Sequence, residues 1–118
     1  MSPISASDLP PAADRRPARR RRTLLGGRVT YDDGAHVFDC TIRDLSDSGA
    51  RITVPGQQPI APHVFLINIR DRVVYEARVV WNRSGQAGLA FEKTLPLADL
   101  ADKRLDYLKH LWLERASR

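Results

Sequence analysis

Cysteine is nearly missing from this chain: Cys40 is the only one in 118 residues. No disulfide can form within one chain, which fits a reducing, cytoplasmic setting. Long apolar runs are missing as well. None reaches the ~18 residues that a membrane-spanning helix needs, so no span is expected. The N-terminus has no apolar stretch behind a basic one, so no secretory signal is expected. An arginine-rich transit peptide is disfavoured by the prolines Pro3, Pro10 and Pro11, which resist an amphipathic helix. The histidines His36, His63 and His110 are scattered, without metal-ligand spacing. Ser46 sits in no Gly-x-Ser-x-Gly elbow, and no phosphate loop of the Gly-x-x-x-x-Gly-Lys type occurs. Cys40 falls mid-strand on an inward face, where a thiol packs rather than attacks. Trp81 and Trp112 read as core or helix-packing residues. The sequence therefore reads as a binding module and not an enzyme, with no metal and no cofactor.

What is present is charge, and its position matters more than its amount. The net is +5 over the chain, but residues 1–22 hold six arginines against Asp8 and Asp14, a net of +4. The remaining body is almost neutral. A concentrated basic arm of this kind is the footprint of a segment that meets phosphate. Taken alone, such a run is also what a solvated tail looks like.

The length suits one domain. Residues 1–14 read as a disordered tail, being rich in Pro, Ser and Ala. Residues 15–23 form the arginine-rich arm. From residue 24 to 95 the pattern is β. Alternation from Leu25 to Tyr31 is followed by the turn Asp32-Asp33-Gly34. A strand over 37–43 then points Phe38, Cys40 and Ile42 inward, and a short one over 50–54 does the same with Ala50, Ile52 and Val54. Prolines 55, 59 and 62 make a loop. Residues 64–69 form the most apolar strand, 73–81 a long one, and 87–91 its return after Ser84-Gly85. From Pro96 to residue 115 the period changes to three or four, at Leu97, Leu100, Ala101, Leu105, Leu108 and Trp112. That predicts one amphipathic helix of ~4 turns, set across a barrel mouth or against a partner. Six short strands with hairpin turns predict an all-β antiparallel barrel or sandwich.

Two stretches carry candidate chemistry. The first is Arg15-Arg16-Pro17-Ala18-Arg19-Arg20-Arg21-Arg22. A guanidinium fork matches a phosphate bidentately, stacks on purines and addresses guanine O6 and N7. The second is the turn Asp44-Leu45-Ser46-Asp47-Ser48-Gly49. Asp44 and Ser46 alternate, so both can reach one surface, as acceptor and hydroxyl donor. Gly49 permits a positive φ and close approach of a ligand ring. Asp, Ser and Gly are also what ordinary turns are made of.

Together these stretches resemble the PilZ domain family, whose signature is Arg-x-x-x-Arg followed at a distance by Asp/Asn-x-Ser-x-x-Gly. Arg16-Pro17-Ala18-Arg19-Arg20 matches the first part and Asp44 to Gly49 the second. Thr23 to Arg28, Val79-Val80-Trp81 and Gly88 to Phe91 also look like that family, so the resemblance covers roughly residues 15–92. It implies a bacterial, cytoplasmic receptor for cyclic di-GMP, built on a six-stranded split β-barrel with a C-terminal helix. Arg16 and Arg20 are implied to grip phosphates and guanine edges, Asp44 and Ser46 to bind a guanine or its ribose, and Gly49 to make room. The run is longer than the signature requires, and Arg15 and Arg19 satisfy the same spacing one residue earlier. Arg20 lies nine residues before Val29, as the family spacing suggests, which favours Arg16 and Arg20.

The implied mechanism is a disorder-to-order switch, in which a dianion bridges arm and barrel and remodels a surface for an effector protein. A second ligand stacked on the first is common in the family. A homodimer through the terminal helix is a further possibility. Two rivals stand beside this reading. One is a sequence-indifferent nucleic-acid binder acting through the arginine run. The other is a PilZ-like interaction scaffold that binds no nucleotide.

Overall fold

The computed structural model describes residues 21–56 and 58–117. Six strands precede a terminal helix: β1 (Arg21–Tyr31), β2 (His36–Leu45), β3 (Gly49–Thr53), β4 (His63–Asn68), β5 (Val73–Arg83), β6 (Gln86–Pro96) and α1 (Asp106–Ala116). All paired strands are antiparallel, and the sheet closes into a barrel in the order β1-β2-β3-β6-β5-β4. The hairpins form where the sequence supplies residues that tolerate positive φ. Asp32, Asp33 and Gly34 turn β1 into β2 with φ of 54°, 53° and 92°, and Ser84 and Gly85 turn β5 into β6 with φ of 55° and 75°.

The expected inward residues Phe38, Cys40, Ile42, Ile52 and Val54 are buried, while Ala50 is half-buried against them. Leu25, Val29, Phe38, Cys40, Ile42, Ile52, Val54, Leu66 and Leu89 form one buried core inside the barrel. β4 is the most apolar strand because both of its faces are covered. Val64 and Leu66 face the barrel interior, while Phe65, Ile67 and Ile69 meet the terminal segment outside.

The C-terminal segment departs from expectation in extent and place. It is not one helix from Pro96. Leu97–Asp99 and Lys103–Leu105 are separate 3₁₀ turns, and α-helix begins only at Asp106. Pro96, Leu100 and Asp102 are all extended, with ψ of 135°, 106° and 114°. The Asp102 carboxylate accepts the Arg104 N–H and starts the second turn. Leucines three to five apart serve a bent chain as well as a helix: Leu97, Leu100 and Leu105 all pack into the same outer cluster. Nor does α1 cap the barrel mouth. It lies on the outer wall, where Leu108, Leu111 and Trp112 pack against Ile67, Val74, Phe65 and Ile69. Arg28 on β1 fixes it in register, donating to Asp39 (2.9 Å), to the Leu111 carbonyl (3.0 Å) and to Glu114 (3.0 Å).

Candidate functional site

The arm's point of entry is set by the first ladder. Arg21 pairs with Leu45 and Arg22 with Asp44, so β1 starts directly opposite the Asp44–Gly49 motif. Arg15, Arg16, Arg19 and Arg20 lie outside the described residues. Arg21, the residue that follows them, stands at the same end of the barrel as the motif turn.

The turn is held by its own side chains. Ser46 Oγ accepts the N–H groups of Ser48 and Gly49, both at 3.2 Å, and the Ser46 N–H donates to the Gly49 carbonyl at 2.9 Å. The Phe91 N–H donates to the Ser48 carbonyl at 2.9 Å, which ties the turn to β6. Ser46 is thus the organiser of the loop as well as a surface hydroxyl.

A bulge precedes Asp44 on β2. The β2–β3 register shifts between Ile42 and Asp44, so that beyond Arg43 Leu45 pairs with inward Ala50 and Asp44 pairs with Arg51 on the outer face. Asp44 is buried, and its Oδ2 accepts from Arg51 Nε at 2.5 Å. Arg51 also donates to Gln86 Oε1 at 3.1 Å, so a carboxylate, a guanidinium and an amide run in a chain across β2, β3 and β6.

Gly49 lacks the positive φ expected of it. Gly34, Gly56 and Gly85 are the described glycines with positive φ; Gly49 is not among them. It pairs with Ala90, and a Cβ there would collide with the Leu89 carbonyl oxygen. The glycine lets the motif turn close onto β6.

Two recesses flank the turn and share Ser46. One, of about 350 Å³, is lined by Ser46, Ser48, Arg51, Trp81, Gly88 and neighbours. The other, of about 330 Å³, lies at the barrel mouth between Arg21, Ser46, Asp47, Asp71 and Tyr75. Burial raises the Tyr75 phenol above its ordinary value, so it stays a neutral O–H. The site therefore combines cations, hydroxyls, a carboxylate and an aromatic ring within one end of a rigid barrel.

Trp81 is the residue that sequence reasoning misplaced. It is neither core nor helix packing. A bulge between Val79 and Trp81 leaves Val80 unpaired, and Trp81 lies half-exposed across Gly88 on the outer wall. A Cβ on Gly88 would overlap the indole, and Arg83 stands 5.1 Å over the ring. Counting back from the Ser84-Gly85 turn would have found the Trp81–Gly88 pair. Arg51 was also missed; its outward position beside inward Ile52 was the available signal. Trp112 does pack the helix, donating its indole N–H to the Ile69 carbonyl at 2.8 Å.

The family model described as PilZ domain matches residues 14–108. Comparison with curated proteins returns no match.

Proposed function

The chain belongs to the PilZ family, whose members are cyclic di-GMP receptors, and from that premise we propose that it is a stand-alone cyclic di-GMP-binding adaptor without catalytic activity. The observation that carries the reading is the pairing of Arg21 and Arg22 with Leu45 and Asp44. It sets the root of the arginine-rich segment opposite the motif turn, which supports the reading.

In this reading Arg16 and Arg20 clamp the ligand phosphates and guanine edges, with Arg15 and Arg19 as the neighbouring register. Arg51 already holds Asp44 through Oδ2, and Oδ1 accepts from a guanine N–H. Ser46 exchanges part of its internal bonding for a guanine or ribose contact, and Gly49 keeps the turn seated on β6. Trp81 offers an aromatic face beside them. The dianion neutralises a self-repelling arm, orders it against the barrel and changes the surface offered to an effector protein. Such a receptor works in the cytoplasm, where a nucleotide messenger can reach it.

Isothermal titration with cyclic di-GMP tests the proposal. Saturable binding is expected, abolished in the Arg16→Ala/Arg20→Ala variant and weakened by Ser46→Ala. A titration of the intact chain without heat, repeated with the same result by equilibrium dialysis, overturns it. Equal competition by single-stranded RNA assigns the arm to nucleic acid instead.

A further inference from the structure

At the same end of the molecule, but outside the barrel, the β4–β5 turn, the exit of β6 and helix α1 enclose a groove of about 600 Å³. That is within the size range of ligand sites in general. Its surface is largely apolar, from Leu97, Ala98, Trp112 and Leu113, and its rim carries Arg72 and Lys109. Leu113 is 54% exposed, one of only three large apolar side chains so exposed among the described residues. The Trp112 indole is fixed by its bond to the Ile69 carbonyl, and Arg72 stands 5.5 Å over its ring. A rigid, half-covered aromatic beside a protruding leucine loses little entropy when something packs on it.

The charges choose the occupant. Among the described residues neither Arg72 nor Lys109 has a carboxylate within ion-pair distance, whereas the carboxylate of Asp71 is already taken up by Asn68 (3.0 Å) and Arg70 (3.0 Å). The rim thus presents two cations without a carboxylate partner among the described residues, one of them stacked over Trp112. A second copy of this chain fits poorly, since a two-fold contact would set basic rim against basic rim. We infer that the groove docks an acidic amphipathic segment of another protein, with large apolar side chains against Trp112 and Leu113 and carboxylates on Arg72 and Lys109. The inference deepens the adaptor part of the proposed function and rests on it, but not on nucleotide binding. Asp71 borders both this groove and the mouth recess that holds Arg21 and Ser46, so a single turn joins the two surfaces.

Selection of a displayed random-peptide library on the full chain, followed by fluorescence anisotropy of the winners, tests it. Enriched peptides are expected to pair large apolar residues with flanking Asp or Glu. Their affinity should fall at least tenfold in Leu113→Glu, whose exposed site leaves the fold intact by thermal melting. Lys109→Glu should weaken them too, and replacing their acids by Lys should restore binding to that variant. Arg72→Asn keeps the positive-φ turn while removing the charge, and should weaken binding as well. Three outcomes overturn the inference: no enrichment, winners that are neutral or basic, and winners indifferent to Leu113→Glu. A dimer that Leu113→Glu dissociates in sedimentation overturns it too, by assigning the groove to a second copy. Titration with cyclic di-GMP reads the nucleotide site separately, so failure of one does not pass for failure of the other.

Discussion

Gly49 and Gly88 are both close-approach glycines, yet they face different obstacles. A methyl group at Gly49 meets the Leu89 backbone carbonyl, which cannot move without opening the β3–β6 ladder. Gly49→Ala is therefore expected to cost about 1–3 kcal/mol in chemical denaturation, as overpacking does. At Gly88 the obstacle is the Trp81 side chain, which can swing away. Gly88→Ala should leave the melt nearly unchanged, shift the Trp81 fluorescence and weaken cyclic di-GMP binding. Cys40 gives a pH prediction. Burial, with Asp39 adding to it, pushes its thiol up to about 12 from an ordinary 9.0. Between those values the unfolded chain loses this proton and the folded one keeps it. Stability should then be whole below pH 9 and fall as pH rises toward 12, by up to about 1.4 kcal/mol per unit. Urea titrations across that range should show the slope flattened in Cys40→Ala. The native thiol should also resist alkylation at neutral pH.

At the scale of the element, helix α1 shows how a modest apolar stripe is helped by polar contacts. Its fully buried apolar contribution is Leu108, with Leu111 and Trp112 half-covered. Arg28, half-buried on β1, supplies the register by bonding Asp39, Glu114 and the Leu111 carbonyl at once. Arg28→Ala should cost about 1.5–3 kcal/mol, the range for hydrogen bonds to charged groups. The loss should be local. Hydrogen exchange in α1 should accelerate while β2 and β5 keep their protection, because the barrel core is a separate cluster. Equal acceleration throughout would show that helix and barrel unfold as one unit.

For the whole molecule, ligand linkage is the informative quantity. If cyclic di-GMP bridges arm and barrel, a hundredfold excess over its Kd should stabilise the fold by about 2.7 kcal/mol. Tryptic cleavage within residues 15–22 should slow in parallel. The Arg16→Ala/Arg20→Ala variant should show neither effect. Stabilisation without protection of those arginines would separate nucleotide binding from ordering of the arm. Both readouts depend on one geometric fact: the β1–β2 register puts the arm's root and the motif turn at the same end of the barrel.

Much of this architecture was written locally. Alternation at Phe38, Cys40 and Ile42 and turn residues such as Asp33-Gly34 act over a few positions, so strands, hairpins and the inward set could be read directly. The composition also located the basic arm, and the spacing of Asp44, Ser46 and Gly49 located the motif. Other features depend on segments far apart in sequence. The β1–β4 closure and the β3–β6 pairing made the barrel, and the latter gave Gly49 its purpose. Bulges set Asp44 beside Arg51 and Trp81 across Gly88, and packing on β4 bent the leucines after Pro96 into two 3₁₀ turns. Periodicity records which residues a chain must bury. It does not record what will lie on the other side of them, and that opposing surface decides helix start, glycine role and site membership.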